Sequence, residues 1–283
     1  MGILSGMANL GLGNLANADI YASAEKDKAT EADDKVAVVL EKDLIYDKSV
    51  ECPVCGAKFS TKIMKSGKAK LLHADQDLRP VYEGIDATKY DVLMCTSCGN
   101  TGLTRFFPMM TSVQCKLIKE NISKGVRIPT FSGETYSYDD AMIQYQLALA
   151  CAVVKRAKNS EKAYICLKSA WLLRGYAEYL EQGGEFEGNL AAKLKELKAN
   201  EEEYLLNAYN GFLEARQGES FPMCGMDEIT IDFLVAVLAT RFKKFDVAGK
   251  LVASILTSPS ANARTKEKAR ELKEEILAGL KKK

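Results

Sequence analysis

The chain has 283 residues, of which 47% are hydrophobic and 27% are charged, and its formal net charge is +1. This composition is ordinary for a globular protein, and the near-neutral charge excludes a global attraction to nucleic acid or anionic lipid. The length suggests about two domains. Because no run of about 18 apolar residues occurs and the start lacks the positive charge of a secretory signal, we expect a cytoplasmic protein without a membrane span.

The first segment of the chain, residues 1–34, predicts no packed structure. It begins with a stretch rich in Gly, Asn, Ala and Leu and continues with Ala and charged residues. Such a segment has no stable apolar face, so we interpret it as a flexible N-terminal tail. Docking of its leucines on a partner or a membrane is the alternative, but no basic face supports it.

Two short cysteine motifs stand out in residues 35–128, the predicted β module. They are Cys52-Pro53-Val54-Cys55-Gly56 and Cys95-Thr96-Ser97-Cys98-Gly99. Strands are expected over 44–64 around the first motif, over 91–94 before the second and over 101–107 after it, because β-branched and aromatic residues suit strands. The segment between them is interpreted as a variable, lysine-rich connection.

The four cysteines predict a structural zinc site. Two Cys-x-x-Cys turns supply four thiolates, which Zn²⁺ prefers in closed tetrahedral sites. A glycine after each pair provides the left-handed backbone that a side chain resists. The predicted ligands are Cys52, Cys55, Cys95 and Cys98. A catalytic dithiol or redox sensor is the alternative, although one pair would suffice for it.

A run of lysines follows the first motif, and it is open to three interpretations. Lys58, Lys62, Lys65, Lys68 and Lys70 have no acidic neighbour between residues 56 and 72. Some could face the thiolates and compensate the formal charge of a four-thiolate zinc site. The run could also be a solvated loop, or a nucleic-acid patch that lacks interleaved arginines and aromatics. The sequence has a single histidine, His73. Without a second histidine it predicts no histidine-based metal site, and it does not indicate a conventional catalytic triad.

From residue 129 onward the apolar period changes to that of helices. Ser137 and Asp140 form a capping box, Gly183-Gly184 ends a helix, and Asp227 begins another. About six helices are expected in 129–283, paired through small residues that include Ala150, Cys151, Ala163, Ala170, Ala236 and Ala248. The pattern after Phe245 is similar to the second helix of a tetratricopeptide unit, although a 34-residue period is absent. The predicted fold class is α+β, with a zinc-ribbon-like β module before a tetratricopeptide-like helical domain.

The sequence resembles a bacterial family, number 2225 among the domains of unknown function. The resemblance rests on LIYDKSVECPVCG at 44–56 and YDVLMCTSCG at 90–99, and on Asp77, Tyr82-Glu83-Gly84-Ile85 and Tyr90 between them. It covers about 44–256 and implies a zinc-ribbon-like module, a tetratricopeptide-like helical domain and no established activity. Zinc ligation carries over to the four motif cysteines. Asn100-Thr101 departs from the family pattern, which has an aromatic residue and alanine there.

These observations favour a zinc-binding, non-enzymatic adaptor whose helical domain presents a groove to a protein partner. Fold alone does not establish function, so two other hypotheses stay open. One is nucleic-acid binding through the basic β module, and the other is a thiol redox enzyme or sensor that uses the paired cysteines.

Overall fold

The computed structural model describes residues 39–281, and the predicted tail 1–34 lies outside that range. Within residues 39–281, six short strands form three separate two-stranded antiparallel sheets, which pair β1 with β2, β3 with β4 and β5 with β6. The strands are β1 Ile45–Glu51, β2 Lys58–Met64, β3 Leu71–Ala74, β4 Pro80–Tyr82, β5 Val92–Met94 and β6 Thr101–Leu103.

Each cysteine motif is the turn of its own hairpin. The β1–β2 register runs from Ile45 opposite Met64 to Glu51 opposite Lys58, which leaves the first motif as the connection. Met94 lies opposite Thr101 at the end of the β5–β6 pair, which encloses the second motif in the same way. Side chains alternate at the start of β2, where Phe59 is buried beside exposed neighbours, as expected for a strand with one packed face. The strands predicted on either side of each motif therefore pair with each other as hairpins.

Two expectations for the β part are corrected. The strand predicted over 101–107 ends at Leu103, because the chain turns there and the N–H groups of Phe106 and Phe107 bond to the Leu103 carbonyl. The lysine-rich connection contains the β3–β4 hairpin, whose exposed Leu71 and Leu72 gave no alternating pattern that would have predicted it.

Seven α-helices follow the strands in the described residues. They are α1 Ser112–Ile118, α2 Tyr138–Val154, α3 Asn159–Glu181, α4 Leu190–Gly218, α5 Glu228–Arg241, α6 Phe245–Thr257 and α7 Ala263–Lys281. The Ser137–Asp140 capping box begins α2 as expected, and the Asp227 carboxylate accepts the Thr230 N–H at the start of α5. Gly183 follows α3 with a φ of 89°, a left-handed conformation that ends the helix.

The main hydrophobic core lies among α3, α4, α5, α6 and α7. Gly211 on α4 allows a close crossing with α3, because a Cβ at this position would lie 2.9 Å from the Ala163 Cβ. Five of the six small residues expected at helix crossings are buried, but Ala150 is exposed and that expectation is wrong. Its neighbour Cys151 points inward instead, since one residue along a helix turns the side chain by about 100°.

Helix α2 joins the helical part to the β part. It packs against β5, β6 and the helical turn Ala87–Tyr90. The fully buried Tyr145 of α2 donates its hydroxyl to the Thr88 carbonyl at 3.0 Å. Asp91, just before β5, forms an ion pair with Lys168 of α3. The residues that lead into the second cysteine motif are thus fixed against two helices.

A second connection is a network of ion pairs between the β3–β4 hairpin and the helices. Arg174 of α3 contacts Asp75 at 2.9 Å, Asp77 at 2.6 Å and Glu201 of α4 at 2.9 Å. Arg79 contacts Asp75 at 2.8 Å and Glu178 of α3 at 2.6 Å. Glu201 interrupts the apolar face of α4 in the sequence, and the network explains why a carboxylate is buried there.

The α+β class is confirmed by the strand pairs and helices. Six of the helices follow residue 129, as expected, whereas α1 lies in a segment for which no helix was predicted. The boundary between 35–128 and 129–283 stays a prediction. No helix in the described part of the chain is long and apolar enough to cross a membrane.

Candidate metal centre

The two cysteine turns have the same local geometry. The Gly56 N–H donates to the Cys52 carbonyl at 2.8 Å, and the Gly99 N–H donates to the Cys95 carbonyl at 2.9 Å. Both glycines have a φ of 73°, the left-handed conformation that the sequence predicted for them. Each turn therefore directs its two thiols to the same side.

The four motif thiols converge. The Sγ atoms of Cys52 and Cys98 are 3.6 Å apart, and those of Cys55 and Cys95 are 3.7 Å apart. All four lie within 4.8 Å of one another. A tetrahedron of sulfur atoms about 2.3 Å from a central ion has edges of about 3.8 Å, whereas a disulfide bond is about 2.05 Å long. The four free thiols therefore fit a tetrahedral metal ion, and they could hold one.

The pKa values of the clustered thiols are shifted in opposite directions. The hydrogen bond from the Cys98 thiol lowers the pKa of Cys52 to about 5, and backbone N–H groups of Cys55 and Val54 act in the same direction against the effect of burial. The same contact raises the pKa of Cys98 above its ordinary value. A thiolate is thus already favoured at Cys52, and a bound cation would displace the remaining thiol protons.

The cluster is partly enclosed by the hydrophobic core around it. Cys52, Cys95 and Cys98 are buried, and Cys55 is exposed. The rings of Phe59 and Phe107 form an edge-on pair with centroids 5.7 Å apart in this core, which also contains Leu93 and Ile118. A metal ion at the cluster would therefore tie two hairpins and the residues around α1 together.

Two further cysteines lie beside the cluster but outside the group of four. The Cys115 thiol donates to the Pro53 carbonyl at 3.4 Å, and the Cys151 thiol donates to the Gly99 carbonyl at 3.8 Å. Burial raises the pKa of Cys151 to about 11, so it stays a neutral thiol. These two cysteines hydrogen-bond to the turns themselves.

Asn100 was not predicted to contribute to the site. It is buried, its side-chain Nδ2 lies 3.9 Å from the Cys52 Sγ, and its main-chain carbonyl accepts the Cys95 N–H at 2.9 Å. An amide donor beside a thiolate stabilises its negative charge. The sequence feature that could have pointed to Asn100 is its departure from the family pattern directly after Gly99.

No lysine of the run directly contacts a thiol of the cluster in the described residues. Lys62 pairs with Asp47 at 3.5 Å, Lys65 donates to the Asp43 carbonyl at 2.8 Å, and Lys70 pairs with Glu83 at 4.0 Å. Lys58 and Lys62 lie on β2, so the run is only partly a loop. His73 is exposed, and its Nε2 lies 3.5 Å from an Asp75 carboxylate oxygen. It is not among the four clustered ligand groups.

These features define a protein with a four-cysteine centre that could hold a metal ion between two β-hairpins, next to a larger helical part. The model of the DUF2225 family, described as uncharacterized proteins conserved in bacteria, matches residues 45–276. The match covers more than half of the chain, so the chain belongs to this family, and the resemblance noted in the sequence is confirmed. No match was found among curated proteins or among solved structures.

Proposed function

We propose that this protein is a non-enzymatic adaptor in which a structural zinc ion stabilises the β part and the helices bind a protein segment. The observation that carries the metal half is the convergence of four thiols at the spacing of a tetrahedral site. Cys52, Cys55, Cys95 and Cys98 would hold the ion. A closed four-thiolate site leaves no position for a substrate, which supports a structural role.

The sulfur contacts also favour metal binding over dithiol chemistry. Two thiol contacts run between the motifs, from Cys52 to Cys98 at 3.6 Å and from Cys55 to Cys95 at 3.7 Å. A redox Cys-x-x-Cys motif works instead by joining its own two cysteines. The nucleic-acid hypothesis loses support because three of the lysines in the run already contact acidic or carbonyl oxygens.

The adaptor half of the proposal is supported by a groove among α2, α3 and α4 with a volume of about 590 Å³. Amide side chains are frequent along it, and they are Gln146, Asn159, Asn200, Asn207 and Asn210. Amides offer both donors and acceptors, which suits the main chain of an extended segment. The stacking of α3 on α4 leaves this groove along the helices, as proposed for a tetratricopeptide-like domain.

Capture of binding partners by the full chain tests the adaptor role. Asn210→Arg places a long cation in the groove, whereas Gln217→Arg makes the same charge change on the same helix outside it. We expect partners retained by the native chain and by Gln217→Arg to be lost with Asn210→Arg. Capture that is unaffected by Asn210→Arg would contradict binding in this groove.

A further inference from the structure

A second and larger cleft lies on another side of the helices. It has a volume of about 830 Å³ and is lined by β4, by the segment from Gly84 to Lys89, by the start of α2 and by the C-terminal half of α3. None of the four clustered cysteines lines it. Its chemistry also differs from that of the amide-lined groove, because it combines tyrosine rings with carboxylates.

The cleft carries an excess of negative charge. Six carboxylates and two cations line it, namely Glu41, Asp86, Asp139, Asp140, Glu178 and Glu185 against Arg79 and Lys89. Both cations are already paired, since Lys89 contacts Glu41 at 2.6 Å and Arg79 contacts Glu178 at 2.6 Å. Within the described residues, the other four carboxylates have no ion-pair partner. A positively charged ligand would therefore gain electrostatic energy on entering the cleft.

The aromatic walls already bind ammonium groups of the chain itself. Tyr138 and Tyr176 are stacked with centroids 4.9 Å apart. The Lys89 Nζ lies 5.0 Å from the Tyr138 ring centroid, and the Lys193 Nζ lies 5.6 Å from that of Tyr176. These contacts are independent of the carboxylate count, and they show that the face of this stack attracts cations.

Tyr179 extends the stack toward solvent. Its ring centroid is 5.6 Å from that of Tyr138, and the residue is 41% exposed. Its hydroxyl accepts the Glu185 N–H at 3.1 Å, which fixes the ring beside a carboxylate of the cleft. No cation contacts the Tyr179 ring in the part of the chain that the structure describes. Gly184 packs against part of this ring, because a Cβ there would lie 2.3 Å from the Tyr179 Cε1, and the exposed remainder of the ring is available to a cation from outside.

The remaining polar contacts hold the carboxylates in place. Asp86 accepts the Tyr138 hydroxyl at 3.3 Å, and Asp139 accepts the Tyr176 hydroxyl at 3.2 Å. Burial raises the pKa of Tyr176 to about 12, so this hydroxyl keeps its proton and remains a donor. Gly175 allows Asp86 to approach α3, because a Cβ there would lie 2.2 Å from the Asp86 Oδ2. The carboxylates of Asp86 and Asp139 are thus held in fixed positions on the wall of the cleft.

We propose that this cleft binds a lysine-rich segment of a protein partner, with an ammonium group held between Tyr179 and the carboxylates of Asp139 and Glu185. The charge excess selects a cation, the rings add cation–π attraction, and the open shape suits a segment that passes across it. The proposal names a partner class for the adaptor and so builds on the proposed function. It does not depend on the amide-lined groove, because the two sites share no lining residue.

Binding of fluorescein-labelled hexalysine to the full chain at low ionic strength tests this inference, with hexaglutamate as the probe of opposite charge. The Asp139→Asn/Glu185→Gln double variant removes two negative charges from the cleft. The Glu271→Gln/Glu274→Gln variant removes two exposed charges from α7, outside it. We expect the cleft variant to weaken hexalysine binding roughly fivefold or more, with less than a twofold effect in the control, because only the cleft charges contact the ligand.

A tyrosine pair separates ring contact from charge alone. Tyr179→Ala removes the exposed ring of the cleft, whereas Tyr46→Ala removes a ring of similar exposure on β1. We expect only Tyr179→Ala to weaken hexalysine binding. Equal weakening by both double variants would overturn the proposal, as would binding of spermidine that is tighter than that of hexalysine. Because hexalysine is supplied directly, failure here and failure of the groove experiment are separate results.

Discussion

Gly56 and Gly99 occupy equivalent places after the two cysteine pairs, yet their surroundings differ. Both have a φ of 73°. A Cβ at Gly56 would meet no atom within 4 Å, whereas a Cβ at Gly99 would lie 2.5 Å from the Val126 Cγ1. The first glycine is thus required only by its backbone conformation. The second is required by its backbone and by the packing of the segment after α1.

Alanine substitutions at the two glycines should separate these costs. Gly56→Ala is expected to lower the free energy of unfolding by about 1–2 kcal/mol, the cost of a left-handed alanine. Gly99→Ala should cost about 1–3 kcal/mol more, because Val126 must move. Urea unfolding of the metal-loaded protein measures both. Adding Val126→Ala to Gly99→Ala should recover part of the extra cost, and equal losses in the two single variants would contradict the steric argument.

The convergence of the four motif cysteines was predictable from their spacing, and the structure brings all four together as a group that could hold a metal ion. The compensation of their charge was not predictable in the same way. The positions of lysines in a sequence do not determine which carboxylate each will contact. Lys62 pairs with Asp47, and Lys70 pairs with Glu83. Asn100 departs from the family pattern in the sequence, and the structure places its side chain beside the Cys52 sulfur.

At the scale of elements, the β3–β4 hairpin is held by charge more than by apolar burial. All four residues of β3 are exposed. Asp75, Asp77 and Arg79 next to it are tied to α3 by the ion-pair network. A hairpin held in this way has no hydrophobic alternation, which is why the sequence did not predict it. In contrast, the caps at Ser137 and Asp227 correctly predicted where α2 and α5 begin, and Gly183 predicted the end of α3.

The network makes stability depend on pH through Asp75. Burial alone raises the pKa of Asp75, but the charge of Arg79 and the hydrogen bonds from Arg174 and Arg79 outweigh it, so the net pKa lies below the ordinary value of 3.8. The ionised carboxylate therefore stabilises the fold above that value. This contribution is lost as the pH falls through the lower folded-state pKa.

Asp75→Asn should lower the free energy of unfolding by about 1–3 kcal/mol at neutral pH, since two arginines lose a partner. Urea unfolding should show the difference in unfolding free energy between the two proteins narrowing as the pH falls below about 4 and through the lower folded-state pKa, because protonated Asp75 resembles asparagine. Acid loss of a metal ion would affect both proteins alike, so the difference isolates Asp75. Asp47→Asn, which breaks an exposed pair, should have little effect, and a gap independent of pH would contradict the argument.

At the scale of the molecule, the four-cysteine cluster and the main helical core are separate. The core around the cluster contains Phe59, Phe107 and Ile118, whereas the largest core lies among α3 to α7. Without a cation, the thiols of the two turns are joined by hydrogen bonds at 3.6 and 3.7 Å, which are weaker than bonds to a metal ion. Loss of a metal ion should therefore loosen the two cysteine hairpins first. The helices should retain most of their structure because their core does not include the site.

The metal content of protein purified without added metal tests the central claim most directly. We expect one zinc ion per chain in the native protein and in Cys115→Ser, whose thiol contacts the first turn but lies outside the cluster. Cys52→Ser should lose most of the zinc, because a structural site needs all four thiolates. A native protein that contains no zinc and reversibly forms a disulfide between Cys52 and Cys55, or a Cys52→Ser variant with full zinc content, would contradict the account.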